Sequence, residues 1–381
     1  MTRTLTLCDL TQSYAETGGG IRTYLTEKRA FIDANTDHRH LLIVPGAEDR
    51  ITHEGRHITV EIASPRVPKS PSYRLLLRSR AVVKALDEMQ PATVECLCAY
   101  NLPWAAIYHR RKRPDVSLIA GYRTDFPTVY VEPVTRKLIG GWAARGLQRL
   151  AYAYAGKLYS KFDGVYALNN DMADRLSGLG ADQVDVLPLG IDTAVFHPCK
   201  RSESWRAQTG AKADDLVLIY AGRIDKEKEA DVVFEAFKRL PEAMNAHLVM
   251  LGDGKLKADL EERAKGRRVH FTGFVKDRER LAMMLASSDI YVSAMAHETF
   301  GISIIEAQAA GLPVVGVKAG AMPDRVPSAL GLLGPVGDAG AMAANISRLW
   351  QSGEARATGK RARLHVEAHF SWQRTFEHLF G

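Results

Sequence analysis

Two glutamates in the second half of the chain have the type and spacing that most strongly suggest chemistry. Glu298 and Glu306 belong to the stretch His297-Glu298-Thr299-Phe300-Gly301-Ile302-Ser303-Ile304-Ile305-Glu306-Ala307. The pattern predicts a loop carrying Glu298, then a helix that starts near Ser303 and carries Glu306. A carboxylate beside a helix start that binds a diphosphate is costly unless it accepts hydrogen bonds from ligand hydroxyls. For an isolated glutamate, a capping or pairing role on a surface helix would be the better interpretation of Glu306.

The elements that must position these residues alternate between short β-branched runs and longer amphipathic patterns. Examples are Leu216–Ala221, Ala230–Leu240, His247–Leu251 and Lys255–Ala264. This alternation predicts parallel α/β layers, in which ligands bind beyond the carboxyl ends of the strands. Two such edges that face one another would form a cleft suited to a phosphate-bearing donor and an acceptor.

The length of 381 residues, with 46% hydrophobic and 25% charged residues, predicts a protein with two hydrophobic cores. The stretch from Gly190 to Arg201 loses periodicity and is the best linker candidate. We therefore expect a first domain over residues 1–195, a second over 196–360, and a terminal helix over 361–381 that packs back on the first domain.

The net charge and the cysteine content limit the kinds of binding partner and the cellular compartment that we expect for the protein. The formal charge of +7 favours anionic partners. Nucleic acid is disfavoured, because the chain has no recognition-helix motif, aromatic RNA-binding signature or zinc finger. Four scattered cysteines indicate reduced thiols and no structural zinc site. With no apolar stretch of signal-peptide or membrane-spanning length, we expect a cytoplasmic protein.

A glycine run near the start could also meet a phosphate. Gly18, Gly19 and Gly20 follow the strand-like run Leu5–Leu10 and precede the helical pattern Ile21–Ile32. Glycines at this point let backbone amides approach a phosphate closely. A flexible turn is an equally good interpretation.

Several motifs in order resemble the large retaining glycosyltransferase family with the GT-B fold, family four or glycosyltransferase group 1. The paired-glutamate stretch carries the resemblance most clearly. Further matching segments are Gly222-Arg223-Ile224-Asp225-Lys226-Glu227-Lys228, Leu251-Gly252-Asp253-Gly254, Phe271-Thr272-Gly273-Phe274-Val275, Pro188-Leu189-Gly190-Ile191-Asp192 and Phe196-His197-Pro198. The resemblance implies two Rossmann-like domains with a cleft between them.

The resemblance also implies a role for each matching residue. Arg223 and Lys228 would lie against the donor diphosphate, and Glu298 would face the transferred sugar. Glu306 would bind the ribose hydroxyls. The donor-binding set would comprise Gly19, Gly20, Phe274, Val275, Phe300, Gly301, Ile302, Ser303 and Glu306. Two fixed cations can offset the charge on a diphosphate leaving group, and no Asp-X-Asp motif ends a strand, so we expect neither a metal nor another cofactor. A solvated basic pair is the alternative for Arg223 and Lys228.

In the first half, the segment from Gly121 to Tyr130 resembles the His-Thr-X-Phe-Pro-X-Tyr motif of a subgroup with lipid-type acceptors. Arg123 stands where that subgroup has histidine, and a guanidinium does not titrate near neutrality. Arg123, Asp125 and Tyr130 are therefore candidates for binding the acceptor or an anion. The other interpretation is a degraded site, in which case the protein is a weakly active, transferase-derived nucleotide-binding or scaffold protein.

The stretch from Thr135 to Phe162 mixes cations with aromatic and aliphatic residues. The cations are Arg136, Lys137, Arg145, Arg149, Lys157 and Lys161, and the apolar residues are Leu138, Ile139, Trp142, Leu147, Leu150, Tyr152, Tyr154, Leu158 and Tyr159. One interpretation is a helix in the interface of an anionic membrane, which would make the protein peripheral on the inner face. The other is an ordinary amphipathic helix packed on the first sheet.

Together these features predict a metal-independent retaining hexosyltransferase. The expected donor is a nucleotide-sugar, by default a UDP-sugar because such donors are common in the family, and the acceptor is a hydroxyl compound such as the membrane lipid diacylglycerol. Retention by a Glu298 nucleophile and retention by front-side attack both remain open at this point.

Overall fold

The computed structural model describes residues 4–14, 20–67, 70–181 and 183–380. The chain divides into two compact units, one of residues 1–187 with 376–381 and the other of residues 188–375. Among the described residues, no helix combines the length and the apolar character needed to cross a membrane.

The first unit is built on a sheet of eight described strands in the order β10-β9-β8-β7-β1-β2-β4-β3. All neighbouring strands are parallel except β3 and β4. The strands are β1 Thr6–Leu10, β2 Arg39–Gly46, β3 Arg50–Glu54, β4 His57–Ala63, β7 Thr93–Cys96, β8 Ser117–Tyr122, β9 Gly164–Ala167 and β10 Val184–Val186, and a separate pair is β5 Arg66–Val67 with β6 Ser70–Arg74. The helices are α1 Gly20–Asn35, α2 Ser79–Met89, α3 Leu102–Lys112, α4 Glu132–Ile139, α5 Gly141–Tyr159 and α6 Asn170–Ser177, and a π-helical turn spans Pro127–Val131.

The second unit has a six-stranded sheet over the described residues, in the order β13-β12-β11-β14-β15-β16, and its strands are parallel. The strands are β11 Val217–Ala221, β12 His247–Leu251, β13 Val269–Gly273, β14 Ile290–Val292, β15 Val314–Val317 and β16 Gly331–Gly334. The helices are α7 Glu203–Gln208, α8 Ala230–Lys238, α9 Lys257–Arg263, α10 Arg278–Ala286, α11 Ile302–Ala309, α12 Met322–Arg325, α13 Ala339–Gln351 and α14 Ala355–His369, with short 3-10 turns at Pro198–Lys200 and Glu242–Met244. A last helix, α15, spans Trp372–Phe380.

The predicted α/β class is confirmed, and the apolar sequences of the buried strands explain it. Strands β11 and β12 are buried along nearly their whole length, because helices cover both faces of a parallel sheet. One core of the second unit joins β11, β12 and β14 to α8 and α13 through Leu218, Leu248, Phe234 and Ile346. The predicted strand His247–Leu251 has the boundaries that the sequence suggested.

The order of strands places a switch point in each unit. In the second unit the chain runs outward from β11 through β12 to β13, and then returns to place β14 on the other side of β11. In the first unit β1 is flanked by β2 and β7 in the same way. The loops that follow these central strands diverge at the carboxyl edge and leave a crevice for a ligand.

The segment proposed as a linker is fixed in the second unit, which begins at residue 188. Phe196 is fully buried, and Arg363 donates hydrogen bonds to the carbonyl oxygens of Phe196, of Ala309 at 2.7 Å and of Thr193 at 3.1 Å. The buried aromatic ring and the two hydrogen-bonded carbonyl groups of Thr193 and Phe196 therefore hold this segment against the second unit.

The expected terminal helix over 361–381 is instead two helices, α14 and α15. The break falls at Phe370 and Ser371, where the buried Phe370 ring packs against Phe300 at a centroid distance of 6.2 Å. Residues from Phe376 onward belong to the first unit. The Phe376 ring is fully buried, 5.5 Å from that of Tyr24 and 5.4 Å from that of Phe31.

Replacing Phe376 with leucine should destabilise the first unit by about 1–2 kcal/mol, because the smaller side chain leaves a void against Tyr24 and Phe31. Calorimetric melting of the full chain measures the change. Phe380→Leu is the matched control, since Phe380 is 36% exposed and should cost less. Equal melting temperatures for wild type and Phe376→Leu would contradict this packing.

Candidate active site

The loop after β14 holds Glu298 at the switch point of the second unit. Lys228 Nζ donates a hydrogen bond to Glu298 Oε2 at 3.1 Å, and the backbone N–H of Gly301 donates to Oε1 at 3.2 Å. The Glu298 side chain is only 14% exposed. Its backbone is held as well, since the N–H of Ala321 donates to the Glu298 carbonyl oxygen at 2.8 Å. Loops that follow the adjacent strands β11 and β14 therefore meet at one carboxylate.

Gly301 sets the direction in which α11 leaves this loop. Its φ of +79° lies in the left-handed region, and a Cβ there would come within 2.6 Å of the Ile304 side chain. Gly301 is the cap residue that precedes α11, and Ser303 is the second helical residue. The expectation that Ser303 starts the helix is off by one residue. Its hydroxyl lies 2.8 Å from that of Tyr291 and so ties the helix start to β14.

Arg223 points to a different set of partners from Lys228. Its guanidinium is 57% exposed and pairs with Asp225 and, at 2.7 Å, with Glu227. Its carbonyl oxygen accepts a hydrogen bond of 2.6 Å from the Tyr220 hydroxyl, which fixes the backbone of the loop. The structure thus brings Lys228 to Glu298 and places Arg223 at the surface of the same loop.

Glu306 is buried in the first two turns of α11. Its side chain is 8% exposed, and Arg278 Nη2 lies 3.3 Å from Oε1. Burial raises the pKa of Glu306 to about 7, and the opposing charge of Arg278 offsets this only in part. Glu306 thus forms the ion pair that the alternative interpretation allowed, but its side chain is buried and does not lie on the surface of the helix.

Two arginines that sequence reasoning missed support the pair of glutamates. Arg278 begins α10, just after the loop that carries Phe274 and Val275, so it connects that loop to Glu306. Arg325 is buried, donates from Nε to the Phe300 carbonyl oxygen at 3.0 Å, and stacks over the Phe300 ring at 4.5 Å. Burial lowers the pKa of Arg325 to about 10. Arg325 is distinguished by its burial and Arg278 by its contact with Glu306, and the sequence pattern reports neither.

The remaining donor-site candidates occupy the same edge of the sheet. Phe274 is 76% exposed after β13, Val275 is half-buried, and Ile302 is exposed at the first position of α11. Phe300 is buried beneath the Glu298 loop. Gly252, at a φ of +136°, lets its own loop lie directly against the Gly222 carbonyl oxygen, where a Cβ would collide.

In the first unit, Arg123 follows β8 and is 92% buried, since only 8% of its surface is exposed. Its Nη1 donates to the Tyr166 hydroxyl at 3.3 Å, and its guanidinium lies 4.2 Å from the centre of the Tyr24 ring. Arg123 and Tyr130 line the same cavity. The sequence predicted this proximity only through their common motif.

Asp125 does not line the cavity that Arg123 and Tyr130 line. Its oxygens accept hydrogen bonds from the hydroxyls of Tyr122 at 2.8 Å and Tyr152 at 2.7 Å, and it forms an ion pair with Arg175 at 3.1 Å. The structure therefore gives Asp125 the role of joining α5 and α6 to the loop after β8. Of the early glycines, Gly20 begins α1, and Gly19 lies outside the described residues.

A buried ionic cluster beneath this site had no signal in the sequence. Lys28 pairs with Asp9 at 2.9 Å and with Glu95, and His40 Nε2 contacts Asp9 at 2.6 Å. Burial lowers the pKa of His40, which keeps the imidazole neutral. Glu95 also accepts from the Tyr24 hydroxyl at 2.9 Å and the Tyr166 hydroxyl at 2.6 Å. The cluster links β1, α1, β7 and β9 at the switch point.

Comparison with known proteins identifies the family. The family described as "Glycosyl transferases group 1" matches residues 201–365, and "Glycosyltransferase Family 4" matches residues 18–195. A GDP-mannose-dependent alpha-(1-6)-phosphatidylinositol dimannoside mannosyltransferase of Mycobacterium tuberculosis is 30% identical over 312 residues, which are 81% of this chain and 78% of the relative. The chain belongs to glycosyltransferase family four, group 1.

Other relatives agree at the level of fold and family. A sulfoquinovosyl transferase of Arabidopsis thaliana is 32% identical over 199 residues, which are 51% of this chain and 38% of that protein. The structure of sucrose-phosphate synthase from Thermosynechococcus elongatus superimposes with a TM-score of 0.77 at 20% identity, covering 98% of this chain and 97% of that one. The GT-B fold expected from the motifs is therefore confirmed. Because the chain belongs to the family named above, it is a glycosyltransferase.

Proposed function

We propose that this glycosyltransferase moves a hexose from a nucleotide-sugar to a hydroxyl of a membrane lipid, with retention of anomeric configuration and without a metal. The observation that carries the proposal is the pair of fixed glutamates at the switch point of the second unit. Glu298 is held by Lys228 and the Gly301 amide, and Glu306 is buried on the adjoining helix.

The two carboxylates suit different parts of the donor. A buried Glu306 with one basic neighbour retains acceptor capacity for two vicinal hydroxyls, which is what the ribose of a nucleotide offers. The exposed Phe274 and the backbone of Val275 lie on the adjacent loop and suit the base. Glu298, at the strand edge, faces the transferred sugar in this proposal.

Lys228 and Arg223 bind the diphosphate of the donor in this proposal. Both lie on the loop after β11, and Lys228 contacts Glu298 in the loop that precedes α11, whose first N–H groups also favour an anion. Charge that develops on the leaving diphosphate is stabilised by these fixed cations, which is the work that a divalent ion performs in other transferases. We therefore expect transfer to continue in excess EDTA.

The geometry around Glu298 favours front-side attack over a glutamate nucleophile. A carboxylate that already accepts from an ammonium group and a backbone amide is a weak nucleophile and a good acceptor for sugar hydroxyls. In this reaction the acceptor oxygen bonds to the anomeric carbon on the face from which the phosphate leaves. The acceptor proton passes to the departing phosphate oxygen, so configuration is retained.

We propose GDP-mannose as the donor, ahead of the UDP-sugar that the family resemblance suggested by default. The support is the mycobacterial mannosyltransferase, which is GDP-mannose-dependent by name and is 30% identical over 81% of this chain. That relative's name also gives a phosphatidylinositol mannoside as its substrate, which supports a lipid acceptor here.

The proposal is tested by nucleotide-sugar hydrolysis with the full chain and GDP-, UDP- and ADP-linked donors, with thermal shift by the matching nucleoside diphosphates. We expect stabilisation by GDP and slow release of GDP from GDP-mannose, because a bound nucleotide stabilises only the folded state. If no nucleoside diphosphate stabilises the protein and no donor is hydrolysed, the chain is a transferase-derived scaffold.

We further propose that α4 and the first half of α5 lie on an anionic membrane surface. Trp142 is 85% exposed, Leu138 and Leu150 are also exposed, and the cations Arg136, Lys137, Arg145 and Arg149 are interleaved with them. The end of α5 is different, since Leu158 and Tyr159 are fully buried in the first unit. Ala144, in the first half of α5, is fully buried as well, so both halves of α5 have a buried side and the membrane proposal concerns the exposed side only.

Liposome flotation tests this surface. At low salt, wild type should float with vesicles containing phosphatidylglycerol and should float poorly with phosphatidylcholine alone. The double variant Leu138→Ser, Trp142→Ser should bind at least about tenfold more weakly, because two large side chains no longer enter the interface. Leu364→Ser is the control, as Leu364 is an exposed leucine of α14. Absence of flotation by wild type at low salt would contradict the membrane proposal.

A further inference from the structure

A cavity of about 770 Å³ opens at the carboxyl edge of the first unit's sheet. Its walls are largely apolar and include Tyr73, Leu75, Leu77, Tyr100 and Tyr130. A small recess of about 40 Å³ adjoins it, and Ser13, Ile21, Tyr100, Thr124 and Tyr130 line both. The larger cavity is also lined by Arg74, whose Nη1 donates a hydrogen bond to the Ser64 carbonyl oxygen at 2.9 Å. Arg123 lines the recess, so a buried cation lies at that end of a mainly apolar cavity.

Arg123 has few partners for a buried guanidinium. Among the described residues it donates one hydrogen bond, to the Tyr166 hydroxyl at 3.3 Å, and no carboxylate lies within 4 Å of it. A guanidinium carries five N–H donors and stays charged at every physiological pH. A buried cation is costly unless it is paired, so this arrangement is suited to an anion that enters from the cavity.

The carboxylates near Arg123 form hydrogen bonds and ion pairs with other residues. Glu95 accepts hydrogen bonds from Tyr24, Tyr166 and Lys28, and Asp9 is bound by Lys28 and His40. The Tyr24 ring lies over the guanidinium at 4.2 Å, and the Tyr166 hydroxyl fixes its edge. Although burial opposes it, Tyr166, Tyr24 and Glu95 raise the pKa of Arg123, while among the described residues no carboxylate forms a direct ion pair with the guanidinium.

We propose that this recess binds the phosphate ester of an anionic amphiphilic acceptor, whose acyl chains occupy the apolar cavity. The planar guanidinium can pair with two phosphate oxygens, and the hydroxyl-bearing Ser13 and Thr124 stand beside it. This inference rests on the proposed lipid glycosyltransfer and makes Arg123 the residue that selects an anionic acceptor over a neutral one.

Calorimetric titration of the full chain tests the inference with short-chain, soluble lipids. Dihexanoyl phosphatidylglycerol should bind at least about tenfold more tightly than dihexanoylglycerol, which lacks the phosphate ester. Glycerol 3-phosphate and inorganic phosphate separate the headgroup from the acyl chains. Both should compete with the phosphatidylglycerol but bind more weakly than it does, because they leave the apolar cavity empty.

Variants of Arg123 complete the test. Arg123→Gln should abolish the preference for the anionic lipid, Arg123→Lys should restore part of it, and Arg348→Gln, a change at an exposed arginine of α13, should leave it intact. An equal affinity of wild type for the two lipids overturns the inference whether or not the variants fold. So does a folded Arg123→Gln protein with the wild-type preference. In the proposed function nucleoside diphosphates bind the second unit, so their thermal shift tests that function separately. Absence of this thermal shift would contradict the proposed function and not the inference about Arg123.

Discussion

Replacing Glu298 with glutamine is expected to lower kcat by about 100-fold or more while the protein stays folded. Glutamine preserves the size of the side chain and can still accept from the Gly301 amide. Its amide group cannot replace the charge that Lys228 contacts at 3.1 Å, so Lys228 is released and the sugar loses a charged acceptor. Initial rates with GDP-mannose and a lipid acceptor, alongside circular dichroism, measure the two effects.

Arg223→Ala should also lose most turnover, although for a different reason. In the absence of donor, Arg223 is 57% exposed and pairs with Asp225 and Glu227, so its removal should not unfold the loop. Its expected contribution is to the charge of the leaving diphosphate. Glu279→Gln, at an exposed glutamate that pairs with Lys200, is the control. Near-normal transfer by both Glu298→Gln and Arg223→Ala would contradict the site assignment.

Glu306→Gln is expected to stabilise the unliganded protein at pH 8 and to weaken nucleotide binding. The pKa of Glu306 is raised from 4.5 to about 7 by burial, so between these values the folded state holds a proton that the unfolded chain has lost. The free energy of unfolding of the wild type therefore falls as pH rises through this window. Glutamine removes the buried charge, and the gain should be on the order of 1–3 kcal/mol at pH 8.

The pH dependence separates this effect from a general change in packing. At pH 5 both Glu306 and glutamine are neutral in the folded protein, so the difference in melting temperature should nearly vanish. Nucleoside diphosphate affinity at pH 8 should fall at least about tenfold, because a neutral amide is a weaker acceptor for ribose hydroxyls. Glu262→Gln, an exposed exchange on α9, serves as control. A variant less stable than wild type at pH 8 would contradict the burial argument.

The sequence predicted the parts of this protein that depend on periodicity and local motifs. Strand His247–Leu251 is as expected, because burial on both faces of the sheet requires a continuous apolar run. The order of loop and helix around Glu298 and Glu306 is also as expected, because the glycine at a φ of +79° marks the point where the loop ends. Gly301 rather than Ser303 precedes α11, because the Ser303 hydroxyl contacts Tyr291 instead of capping the helix.

Contacts between distant residues could not be predicted in this way. Arg278 meets Glu306 because α10 and α11 pack together, and Lys28 on α1 meets Glu95 on β7 although 67 residues separate them in the sequence. Periodicity indicates which face of an element is buried but not which charge it meets there. The motif that contains Arg123 and Asp125 shows the same limit, since Arg123 lines the cavity while Asp125, two residues later, contacts Tyr152 and Arg175.

The most direct test of the central claim is transfer of radiolabelled mannose from GDP-mannose to lipid by the purified full chain, in EDTA, with vesicles that contain phosphatidylinositol and phosphatidylglycerol. We expect a labelled product that partitions into organic solvent, requires the protein, and falls about 100-fold with Glu298→Gln. Absence of labelled lipid with GDP-, UDP- and ADP-linked sugars alike, from a protein that no nucleoside diphosphate stabilises, would contradict it.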